Sequence, residues 1–231
     1  MTSARARSSM TADEVRQGLE GVADEVKPRL RGQLHAVMAP LAALGGVALV
    51  LAAPTAAGKV ASAVFCSGAV LVFVVSAAYH TRTWNEPTRV WLKRWDHANI
   101  FVLIACSYTP FAVLMLPSAA ARTLLLVVWA GALLGAGFQV LWVHAPRWLY
   151  VPIYLALGWA AVFWSADFAA AGRPEVLALI IAGGVFYTLG AIVYSTRRPD
   201  PAPAWFGFHE VFHAMTIAAF LAHYAGVWLL L

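Results

Sequence analysis

Past residue 31 the chain alternates between long apolar runs and brief polar breaks. Seven runs lie near 36–56, 60–80, 98–117, 121–142, 149–169, 176–196 and 209–230. Each is close to the ~20 residues that a helix needs to cross a ~30 Å hydrocarbon core. Turn-forming residues separate them: Pro54 and Gly58 after the first run, Pro117, Pro146 and Pro174 at later breaks, and Pro199, Pro201 and Pro203 before the last. The runs lack the alternation of membrane β-barrel strands. The pattern therefore predicts an all-α integral membrane protein, a seven-transmembrane helix bundle, over residues 32–231. Residues 1–31 differ, with six basic and five acidic residues and no apolar stretch of the kind a signal peptide needs. Thr11 to Glu14 reads as a capping box. Val15, Leu19, Val22 and Val26 follow on one helical face, and Pro28 ends the pattern. The reading is a cytosolic tail carrying a short amphipathic helix on the membrane surface, with a partly ordered, solvated tail as the equal alternative.

Composition narrows the class. Hydrophobic residues make up 61% and charged residues 12%, against about 45–50% and about 25% in soluble domains. That balance excludes a soluble globule, a disordered chain and a disulfide scaffold. Charge then orients the spans. With the N-terminus in the cytosol, thirteen Lys and Arg residues fall on the cytosolic side and only Lys59, Arg122 and Arg173 on the other. Seven spans then put the C-terminus outside the cytosol, in a multi-pass protein of the cell inner (plasma) membrane. Basic residues that track topology argue against a nucleic-acid partner. The 81–95 stretch places Trp84, Trp91 and Trp95 among basic residues and reads as an interfacial loop. Cys66 and Cys106 lie inside apolar runs without CxxC spacing, as reduced packing residues. Gly131 and Gly135, with Gly183, Gly184 and Gly190, predict close helix contacts. Pro110 predicts a kink in the third span.

Ionisable groups within spans are expensive and mark candidate sites. Ser76 and His80 share a face at the end of the second span, Asp96 opens the third beside His97, and His209 and His213 open the seventh. The topology brings Ser76, His80, Asp96, His209 and His213 to one membrane depth. Two histidines at i, i+4 can chelate one ion, and His80 could supply a third nitrogen. Three histidines with one open position is the arrangement of a catalytic zinc, which brings the pKa of its water to ~7. Asp96 is the candidate to hold that water or act as general base, and Ser76 could bond the water or a substrate oxygen. Against this stands the plainer reading of helix-end histidines and an N-capping Asp. Residues 209–213 also read HEVFH, which in soluble metalloproteases makes the Glu a general base. No acidic ligand follows His213, and Glu210 is equally suited to facing the cytosol at the helix N-terminus. His35 and His144 read as interfacial, solvated or lipid-facing, and His97 as pointing away from the Asp96 face. His223, about 15 Å further along its helix, is out of reach of the histidine set.

Four segments together resemble the hemolysin III family, the bacterial branch of the progestin and adipoQ receptor family. They are SAAYH (Ser76 to His80), WDHANIFVLIACSYTPF (Trp95 to Phe111), GGVFYTLGAIVYS (Gly183 to Ser195) and FGFHEVFHAMTIAAFLAHY (Phe206 to Tyr224). The resemblance runs from about residue 30 to the C-terminus. It implies seven helices, a cytosolic N-terminus and a zinc ion held by His80, His209 and His213. It further implies that Asp96 binds the zinc-held water, with Ser76 matching the family's serine. It also links the chain to hydrolysis of lipid amides such as ceramide. The leading expectation is a Zn2+-dependent hydrolase acting on a membrane lipid amide or ester. The rivals are a membrane-state sensor with structural zinc and a pore-forming haemolysin, although no ring of polar residues crosses the full thickness.

Overall fold

A computed structural model describes residues 28–231, so the expected interfacial helix over 11–26 lies outside the described residues. Among the described residues, seven segments are long and apolar enough to cross a membrane. Four are single helices: α1 (Gln33–Ala52), α2 (Ala56–Thr81), α3 (Glu86–Met115) and α4 (Ser118–Leu141). The fifth is composite: α5 (Arg147–Gly158), a 3-10 turn (Ala160–Trp164) and α6 (Ser165–Ala170). The last two are α7 (Pro174–Thr196) and α8 (Phe208–Leu230). Among the described residues there is no strand, only an isolated bridge between Ala202 and Phe206.

Helix α3 is the centre of the bundle. Two-thirds of its apolar window is buried, 67%, against 17% for α7, which turns most of its surface outward. Chain neighbours α1–α2, α2–α3, α3–α4 and α7–α8 pack side by side, and α1 also meets α8, which closes the bundle. The glycines allow these approaches. A Cβ at Gly135 would overlap the Phe101 ring, and one at Gly131 would stand 2.7 Å from Leu157. Cys66 and Cys106 are free, buried, and packed on Gly46 and Gly68 of the preceding helices.

The structure corrects the sequence reading at two places. First, α3 begins at Glu86, about three turns before the expected start near residue 98. Asn85 caps it by accepting from Thr88 N, and Pro87 follows in the first turn, a combination suited to a helix start. Most of the expected 81–95 loop is therefore helix. Trp91 and Trp95 lie on its exposed face with ring centroids 5.9 Å apart. The helix also continues through Pro110.

Second, the fifth span breaks after Gly158. An unwound turn inside a membrane leaves backbone groups that lipid cannot satisfy. Tyr108 of α3 supplies both missing partners. Its hydroxyl donates to Gly158 O at 2.6 Å and accepts from Ala161 N at 2.9 Å.

Candidate metal centre

His80 stands in the last turn of α2, and His209 and His213 stand in the first two turns of α8. The two Nε2 atoms of His80 and His209 are 3.2 Å apart. Ring centroids of His209 and His213 are 4.5 Å apart, and those of His80 and His213 are 5.4 Å apart. One nitrogen from each of the three rings falls within 4.8 Å of the others. Asp96 Oδ2 lies 3.5 Å from His80 Nε2. Ser76, one turn before His80 and buried, interacts with the Asp96 carboxylate. All five residues expected at one depth meet at one place. Asp96 is no N-cap, since it lies more than two turns inside α3.

The donor set suits a small ion. Tetrahedral zinc at ~2.0–2.1 Å from imidazole nitrogens separates its ligands by roughly 3.3 Å, close to the observed His80–His209 spacing. His213 Nδ1 is buried without a hydrogen-bond partner, which unliganded interiors rarely tolerate. His209 and His213 of the cluster line a cavity of about 380 Å³, within the range of small-molecule sites. His35, Ser76, Asp96, His97, His209 and His213 contribute to its polar end, and the rest of its wall is largely apolar.

Two residues near the cluster behave differently from the sequence reading. His35 is neither solvated nor lipid-facing. It is 3% exposed and stacks on His213, with centroids 3.8 Å apart and planes at 17°. Its depth was legible, because α1 starts on the side where α2 ends, but its facing was not. His97 is not at an interface but lines the cavity wall together with Asp96 and His209. Its Nδ1 meets Gln139 Nε2 at 3.2 Å, and Tyr154 donates to its carbonyl. Gln139, fully buried in α4, was not singled out by spacing or motif.

Glu210 faces away from a catalytic role. It is fully buried, which overturns the expected exposure to the cytosol. Its Oε1 accepts from Arg31 Nε at 2.6 Å, and its Oε2 accepts from Gly207 N at 2.8 Å, which satisfies the backbone N–H just before α8. Both oxygens serve the helix start. The segment carrying Arg31 is itself tied to the 202–207 turn. Arg29 N and Leu30 N donate to Ala204 O and Trp205 O, and the Arg29 guanidinium lies 4.2 Å over the Trp205 ring. Gly32 then starts α1 at φ +79°. A Cβ there would stand 2.7 Å from His80 Cβ. The same short segment thus anchors Glu210 and packs against His80.

Comparison with known proteins agrees with this architecture. Over 146 residues the chain is 31% identical to a protein named Hemolysin-3 homolog from Bacillus subtilis (strain 168), covering 63% of this chain and 68% of the relative. Over 140 residues it is 27% identical to Hemolysin-3 of Bacillus cereus, covering 61% of this chain and 64% of the relative. These matches span about two-thirds of each relative's length. Residues 24–224 match the family described as haemolysin-III related. That match takes in all but the ends of the chain, and this seven-span, multi-pass membrane protein belongs to the haemolysin-III related family.

Proposed function

We propose that the protein is a zinc-dependent hydrolase of a membrane lipid amide or ester, oriented in the plasma membrane with its N-terminus in the cytosol. The observation that carries the reading is three histidine nitrogens within 4.8 Å of one another, beside a carboxylate, at the polar end of an apolar cavity. The thirteen-to-three distribution of basic residues supports the orientation.

His80, His209 and His213 hold the ion through neutral imidazole nitrogens. When bound, zinc supplies Lewis acidity, which polarises a carbonyl and makes water acidic enough to ionise near neutral pH. Asp96 orients the His80 ring and takes the proton from the attacking water. Ser76 donates its one O–H to the Asp96 carboxylate and so holds it in place. The cavity wall takes the acyl chain and keeps bulk water from the reacting carbonyl.

The test joins metal analysis with a lipid-hydrolysis screen on purified protein. About one zinc per chain is expected, lost on His209→Ala. Asp96→Asn is expected to keep the metal and lose turnover. Fully folded protein without zinc would end the reading. Metal without turnover in wild type would leave a structural zinc in a membrane-state sensor. The printed names of the two bacterial relatives favour one further reading, membrane lysis. Dye leakage from liposomes that survives His209→Ala would establish lysis in place of hydrolysis.

A further inference from the structure

The far end of the cavity holds a second polar group. Ser107 Oγ on α3, Tyr187 OH on α7 and His223 Nδ1 on α8 are buried atoms without hydrogen-bond partners, and all three residues line the cavity. Tyr187 and His223 pack with ring centroids 5.8 Å apart. The Ser107 and Tyr187 side chains are in interaction range, yet outside hydrogen-bond geometry. Phe111, one turn beyond Ser107, also packs edge-on against His223 with centroids 5.5 Å apart. The imidazole has been given room, since a Cβ at Gly183 would overlap its ring.

The hydrogen bonds left open describe what fits. His223 Nε2 lies 3.3 Å from Ile180 O, so this nitrogen carries the proton and Nδ1 presents a lone pair. Ser107 and Tyr187 offer one O–H each. Leaving such groups unpaired inside a membrane is costly. An alcohol satisfies all three, by donating to Nδ1 and accepting from the two hydroxyls. A ketone leaves Nδ1 unpaired, and a carboxylate would bring a charge into the apolar span.

We propose that Ser107, Tyr187 and His223 form a subsite for a hydroxyl group on the lipid chain. Along α8 the subsite lies about 15 Å from the three-histidine end, ten residues at 1.5 Å each. This inference rests on the reading that the cavity takes a lipid.

The test uses the purified full chain in nanodiscs and a fluorescent fatty acid as displaceable probe. Stearic acid and its monohydroxylated isomers, which differ in hydroxyl position, are the competitors. One hydroxyl position is expected to bind about tenfold better than stearic acid, the effect of one well-made hydrogen bond to a buried partner. Ser107→Ala with Tyr187→Phe should flatten the preference and leave stearic acid binding unchanged. Tyr187→Phe alone, which removes a single oxygen, should reduce the preference if the double variant does not fold. Equal binding of all isomers overturns the subsite and leaves the lipid reading standing. A preference that survives the substitutions also overturns the subsite. No binding by any acid overturns both.

Discussion

Arg31 Nε donates to Glu210 Oε1 at 2.6 Å, joining residues 179 positions apart. This contact ties the segment before α1 to the first turn of α8, where His209 and His213 stand. It also decides what the HEVFH motif means here. In the protease reading Glu210 faces the ion. In the structure its two oxygens are taken by Arg31 and by Gly207 N.

Glu210→Ala removes the buried partner of Arg31 and the cap of α8 together. The expected loss is on the order of 3 kcal/mol, as for breaking a buried ion pair. Thermal unfolding in detergent should show a lowered Tm. Glu210→Gln should keep most of the zinc and any hydrolytic activity. A Glu210→Gln protein of normal Tm with its activity abolished would restore the general-base role.

Gly32 is the point where the N-terminal segment presses on the metal site. Its φ of +79° disfavours a side chain, and a Cβ would crowd His80 Cβ. Gly32→Ala is expected to cost about 1–2 kcal/mol for the backbone conformation alone, and to displace His80. Lower zinc occupancy with a lowered Tm is the predicted pair of results. Unchanged occupancy would show that His80 is held by α2 alone.

His35 stacks on His213, and neither of its ring nitrogens has a hydrogen-bond partner. A phenyl ring can therefore replace the imidazole without breaking a bond. His35→Phe is predicted to retain zinc affinity, whereas His35→Ala should weaken it by about tenfold, the scale of losing a group that orients a ligand. Zinc competition with a chromophoric chelator measures both. Equal affinity in wild type and both variants would mean that the stack positions nothing.

Tyr108 satisfies the backbone at the break in the fifth span through Gly158 O and Ala161 N. Tyr108→Phe leaves Gly158 O and Ala161 N unpaired inside the membrane span, where lipid offers no replacement, at a cost of about 1–3 kcal/mol each. Its Tm should fall accordingly, and protease cleavage between α5 and α6 should become faster. A variant as stable as wild type would imply that water enters to replace the hydroxyl.

The chain alone determined the number of spans, their approximate limits and the level of the polar residues. Those properties follow from apolar run length against bilayer thickness and from counting turns along each helix. Hence Ser76, His80, Asp96, His209 and His213 could be grouped before any coordinates. The start of α3 was also written locally, in Asn85 and Pro87, but the apolar signal begins later and masked it. Only the tertiary structure decided how each helix is rotated about its axis, because a short loop sets a helix's depth and neighbour without setting which face turns inward. That rotation puts His35 against His213, turns Glu210 toward Arg31, and brings Ser107, Tyr187 and His223 from three helices to one wall. The break at Gly158 belongs to the same class, since its unwound backbone is stable only where Tyr108 of another helix meets it.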